Sequence, residues 1–231
     1  MFNKIATAVL LLSLAACAAR HPRPVPPPEV PAQARLQALP PPGEYAIDSN
    51  ASELRLLVYR AGPLASLGHN HVMVNRAITG TVRIGAGVSS SSFSLRMRAD
   101  DFEIDDAQSR QEEGGDFPGD IPEDAKAGTR RNMLSSAVLN AAEFPDITVK
   151  SATLSGTLND LTADVEIGAA GHASRISVPL TLQGDATHLM ATGSLELRQT
   201  ALGLSPYSLM HGALQVQDAM LLKFRITVLT N

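Results

Sequence analysis

The chain has no tryptophan, a single cysteine, three tyrosines and six phenylalanines, and it carries no run of basic residues. One thiol excludes an internal disulfide. A formal charge of −4 without a basic patch argues against nucleic acid as a partner, and so few aromatic rings leave almost no stacking platform for bases. Long apolar runs are missing too. The longest, residues 5–16, has twelve residues, whereas a helical bilayer span takes about twenty. There is no Gly-x-Ser-x-Gly nucleophile elbow and no Asp-x-Asp-x-Asp-Gly calcium loop.

What is present at the N-terminus is a short basic start (Lys4), the twelve-residue apolar stretch and then Leu14-Ala15-Ala16-Cys17. This is the layout of a secretory signal. The small residues before Cys17 resemble the bacterial lipobox, which implies that residues 1–16 are removed and that Cys17 is lipidated. The protein is therefore expected to face the periplasm on a lipid anchor, and Ala18 after the cysteine points to the outer membrane. Residues 18–43 hold nine of the fifteen prolines. Such a tract favours extended polyproline geometry and reads, with Cys17, as a tether over 17–43.

Residues 44–231 suffice for one sizeable core. Strict alternation recurs there. In Ser92 to Ala99, Phe93, Leu95 and Met97 share one face while Ser94, Arg96 and Arg98 share the other, the signature of a half-buried strand. The same two-residue rhythm runs through 78–84, 161–167, 175–182 and 220–229. Turn signals separate these runs at Gly85-Ala86-Gly87, Leu158-Asn159-Asp160, Gly171-His172 and Gly184-Asp185. The pattern predicts an all-β fold, an antiparallel sheet closed into a barrel or folded into a sandwich. One segment, residues 130–142, has apolar residues at helical spacing and predicts a short amphipathic helix ending before Pro145. Residues 100–124 hold eleven of the twenty-three acidic side chains against one arginine and read as a long, mobile, solvated acidic loop.

Several segments together resemble the YceI-like family of polyisoprenoid-binding proteins. The match begins at Gly43-Glu44-Tyr45-Ala46-Ile47-Asp48, continues through Arg131-Asn132-Met133-Leu134-Ser135-Ser136 and Glu143-Phe144-Pro145-Asp146-Ile147-Thr148, and closes with Leu202-Gly203-Leu204 and the final alternating run. The resemblance implies a lipocalin-like barrel of about eight strands with one short helix, enclosing an isoprenoid or other long-chain lipid and not acting as an enzyme. It calls for no cofactor. Leu67-Gly68-His69-Asn70-His71 marks a variant of the pattern.

The candidate ligand lining comprises Phe93, Leu95 and Met97 on one strand and Leu222 and Phe224, beside Met220, on the last. Met133, Leu134 and Val138 from the helix, with Phe144 after it, complete the set. A mostly aliphatic interior suits an apolar tail, because burial at roughly 25 cal/mol per Å² needs no directional groups. His69 and His71, two residues apart, project to one side of an extended chain and can meet a head group or a metal ion. A metal-binding or metal-dependent protein centred on them is the alternative reading, with His211, Asp48 or Asp218 as the third ligand.

Overall fold

The computed structural model describes residues 36–184 and 188–230. The expected signal peptide, Cys17 and the upstream part of the tether lie outside them. Twelve strands form: β1 (Gly43–Ala46), β2 (Glu53–Ala61), β3 (His71–Asn75), β4 (Thr79–Ile84), β5 (Ser92–Arg98), β6 (Glu103–Ile104), β7 (Asp146–Thr157), β8 (Asp160–Ala169), β9 (His172–Gly184), β10 (His188–Arg198), β11 (Ser208–Leu209) and β12 (Leu214–Leu229). Two helices, α1 (Ala107–Glu113) and α2 (Glu123–Leu134), lie between β6 and β7.

All pairings are antiparallel. Eleven strands follow one path, β1-β4-β5-β7-β8-β9-β10-β12-β2-β3-β6, and β11 adds to β12. The sheet coils into a half-barrel. After β1 the chain crosses between its two sides, with the Ile47 N–H donating to Gly80 O at 3.1 Å and the Asp48 N–H to Thr227 O at 2.9 Å. Much of the excess over the expected eight strands comes from β1, β6 and β11, which are four, two and two residues long, too short for alternation to register.

Alternation sets the two faces wherever a strand is long. On β8, Leu161, Ala163, Val165, Ile167 and Ala169 are buried while Asp164 and Glu166 point out. The β8–β9 connection is a two-residue turn with Ala170 at φ 50° and Gly171 at φ 78°, the left-handed pair that matches strand twist in tight hairpins. Gly193 on β10 faces Phe224 on β12. A Cβ there would lie 2.5 Å from the ring and 2.7 Å from Pro179 O, so the glycine is what lets the phenyl ring lie flat across the sheet.

Three expectations are corrected. First, the helix runs over 123–134 and not 130–142. Glu123 and Asp124 stabilise its first turn through the helix dipole. Ser135 then leaves helical geometry at ψ 164°, its hydroxyl donates to Asn132 O at 2.7 Å, and Asn140 turns left-handed at φ 44°. Local side-chain bonding of this kind ends helices despite apolar spacing.

Second, residues 100–124 are not a mobile loop. They fold as β6, α1 and the entry to α2, with Ser109 and Arg110 buried and Phe117 3% exposed. Phe117 packs with Leu57, Val72 and Val74 on the outer face of β2 and β3. Arg55 ties the acidic helix to β2 through Glu112 and Glu113, both at 2.9 Å. Glu112 and Glu113 are thus ion-pair partners within a second, outer layer.

Third, the residues just before Glu44 do not stand free of the barrel. Leu36 is 6% exposed and packs with Ile84, Leu161, Leu182, Leu189 and Val228, and Leu39 joins the same cluster. The Tyr45 hydroxyl donates to Pro41 O at 2.7 Å. The last residues of the expected tether therefore form the floor of the half-barrel, at the end opposite α2.

Candidate ligand cavity and its polar end

Between that floor and α2 the sheet encloses a cavity of about 340 Å³. Its walls come from the inward residues of nearly every long strand, including Leu54, Leu56 and Val58 of β2, and Ile176, Val178 and Leu180 of β9. Of the expected lining residues, Phe93, Leu95, Met97, Met133, Val138, Leu222 and Phe224 all border it. Leu134 instead packs into the surrounding core. Phe144 lies against Gly171 at the β8–β9 turn, where its ring covers the hairpin and not the cavity.

Polar groups on the wall are few and uneven. Ser91 is near the floor; His71, Thr129, Asn132, Gln199 and Tyr207 lie toward α2. The cavity is therefore apolar along its length and polar at one end.

His71 is the centre of that end. It opens β3, whose residues 71 and 73 border the cavity while Val72 and Val74 pack outward. Its Nδ1 lies 2.7 Å from Asp105 Oδ2. Asp105 is fully buried, in a left-handed conformation at φ 54°. Its Oδ1 accepts from the Val72 N–H at 2.9 Å and from Arg110 Nη1 at 2.6 Å. Arg110 is itself 2% exposed and donates further to Asn70 O at 2.7 Å, Pro118 O at 3.1 Å and Gly119 O at 3.2 Å, while its guanidinium sits 5.9 Å from the Phe117 ring centre. Burial alone pushes the Asp105 carboxyl up, but the bonds from His71, Val72 and Arg110 outweigh it and hold the group below the usual carboxylate range.

His69 lies beside this network, its ring centre 4.6 Å from that of His71 and nearly edge-on to it. Burial, then the neighbouring His71, lowers its basicity below that of a free imidazole. Its Nε2 is buried and has no hydrogen-bond partner among the described residues.

The other proposed partners of the histidines are elsewhere. His211 is exposed on the loop between β11 and β12. Asp48 caps a turn by accepting from the Asn50 N–H at 3.0 Å. Asp218 accepts from the Thr200 N–H and hydroxyl at 2.9 and 2.8 Å. The carboxylate that does join the histidines is Asp105, which sequence reasoning passed over as one acidic residue in a run of eleven. A signal for it existed in Arg110, the lone base in that run. A single arginine amid carboxylates is a candidate for a buried, bidentate role.

Comparison with known proteins agrees with this architecture. The model of the YceI-like domain matches residues 45–228. No curated protein matches the sequence. Among solved structures, Burkholderia cenocepacia BcnA superposes with a TM-score of 0.59 at 13% identity, covering 78% of this chain and 98% of that one. A polyisoprenoid binding domain from Saccharophagus degradans, implicated in plant cell wall breakdown, gives 0.52 at 13% identity, with 80% and 97% covered. The YCEI protein of Campylobacter jejuni gives 0.50 at 8% identity, with 68% and 83% covered. At such identities the likeness is one of fold, and the family match spans most of the chain. The protein belongs to the YceI-like domain family.

Proposed function

We propose that this protein binds and carries an amphipathic lipid, with its apolar tail along the cavity and its head at the His71 end, and that it performs no chemistry on it. The single observation that carries this reading is the cavity itself. It falls in the range of about 300–1,000 Å³ typical of small-molecule sites, and among the described residues its polar lining groups other than Ser91 gather at one end. A tail gains free energy there by leaving water without needing hydrogen bonds along its length. The structural neighbour from Saccharophagus degradans is a polyisoprenoid binding domain, which makes an isoprenoid the first ligand to try. Export on a lipidated Cys17, facing the periplasm, gives such a carrier direct access to membrane lipids.

The test is native mass spectrometry of the full chain, purified without a tag, with organic extraction of whatever accompanies it. The expected result is a co-purifying long-chain lipid or isoprenoid that is displaced in Ala191→Phe, a variant that fills the cavity from β10. Protein that carries no lipid, and takes up none from prenyl or acyl probes after delipidation, would overturn the proposal.

A further inference from the structure

We infer that His69 and His71 supply the imidazoles of a binding site for one late first-row divalent metal ion, such as zinc, copper, nickel or cobalt, bordering the α2 end of the cavity. The inference goes beyond lipid carriage and does not depend on it.

Position comes first. The two histidines flank Asn70 where the chain enters β3, and with Asp105 they place one ligand-capable atom from each residue within 4.8 Å of one another. No other such group of histidines and carboxylates occurs among the described residues.

The hydrogen bonding then assigns roles. Both oxygens of Asp105 are engaged: Oδ1 by Val72 and Arg110, Oδ2 by His71 Nδ1. Asp105 is thus a positioning residue. It fixes the His71 ring through Nδ1, as carboxylates do behind metal-bound histidines, and leaves Nε2 for an ion. Arg110 serves the same end by holding Asp105.

His69 supplies the independent observation. A buried ring nitrogen without a partner costs free energy, and such groups in folded proteins call for an explanation. A purely structural His71–Asp105–Arg110 network does not need His69 and leaves that nitrogen unexplained. An ion shared with His71 accounts for it.

Charge and donor type select the ion. Arg110 offsets the one nearby carboxylate, so the donors on offer are neutral imidazoles and not a cage of oxygens. Magnesium and calcium require the latter. Imidazole suits zinc, copper, nickel and their neighbours. Because His71 also lines the cavity, an ion held on it borders the space where a ligand's head would lie.

The experiment is a titration of the tagless full chain after EDTA dialysis, with cobalt(II) followed by its visible absorption and zinc(II) followed by calorimetry, in delipidated and lipid-loaded protein. One equivalent is expected, unaffected by excess magnesium, with His69→Gln and His71→Gln each weakening it about tenfold or more and His211→Gln leaving it unchanged. His69→Gln breaks no hydrogen bond, so it keeps the test valid if His71→Gln fails to fold. The absence of saturable binding, or binding that His69→Gln leaves intact, would refute the site whether or not the protein carries lipid.

Discussion

Replacing Arg110 with methionine keeps much of the side chain's length and removes its charge, which isolates the role of the guanidinium. In the native protein that group makes four hydrogen bonds, to Asp105 and to the carbonyls of Asn70, Pro118 and Gly119. Both it and Asp105 are out of water, at 2% and 0% side-chain exposure. Losing one partner of a buried ion pair costs about 3–5 kcal/mol, mostly because the other charge is left uncompensated. Methionine restores part of the packing against Phe117, so the lower half of that range is expected. With a urea m-value of about 2 kcal/mol/M, the unfolding midpoint falls by roughly 1.5–2 M. The Asp105→Asn/Arg110→Met double variant relieves the stranded charge, and the double-mutant cycle should return a coupling above about 1 kcal/mol. Equilibrium urea unfolding followed by far-UV circular dichroism measures all four proteins. A loss below about 1 kcal/mol in Arg110→Met, or strict additivity in the cycle, would show that the network is not what holds residues 105–122 against β2 and β3.

Four further outcomes follow from the same structure. His69 is held below the ordinary imidazole range, so the unfolded chain takes up its proton first as pH falls; stability from this group is complete above about pH 6.5 and is lost on acidification below it, and His69→Gln should flatten that part of the stability–pH curve. Asp105 is depressed in the folded state, so its contribution persists above about pH 3.9 and disappears as pH drops further, visible as a second, steeper acid loss that Asp105→Asn removes. Leu36→Ala should cost about 2–5 kcal/mol, as for a leucine in a packed core, whereas a residue in a free tether would cost nothing measurable by thermal unfolding. Gly193→Ala forces Phe224 and the backbone at Pro179 to shift and should cost about 1–3 kcal/mol, with a changed affinity for any cavity ligand in a fluorescence displacement assay.

Alternation made the long strands legible, because each carries one apolar and one polar face: Phe93, Leu95 and Met97 announced β5, and Leu222 and Phe224 announced β12. What it could not show was any element whose packing is not periodic. Leu36 and Leu39 are two leucines in a proline-rich stretch, and nothing local tells that they insert between strand ends distant in sequence. The outer layer escaped for a related reason. Leu57, Val72 and Val74 face away from the cavity yet are buried, so they break the rule that outward means polar. Phe117, the residue that covers them, stood in a run that composition marks as solvated. The histidine pair was visible from its spacing, but its carboxylate partner depended on β6 pairing with β3, a contact between segments some thirty residues apart made by a strand of two residues.

The docking of Leu36 and Leu39 has a mechanical consequence. Leu36 is pinned in the floor and Gly43 is in register with Ile84, with the Tyr45–Pro41 bond between them, so the stretch joining them is a strut of set length. Adding or removing a residue within it must either pull the leucines from the floor or slip β1 against β4. A load applied to the chain upstream of Leu36 falls first on that apolar seat, so a pull on that end of the chain acts directly on the closure of the cavity floor.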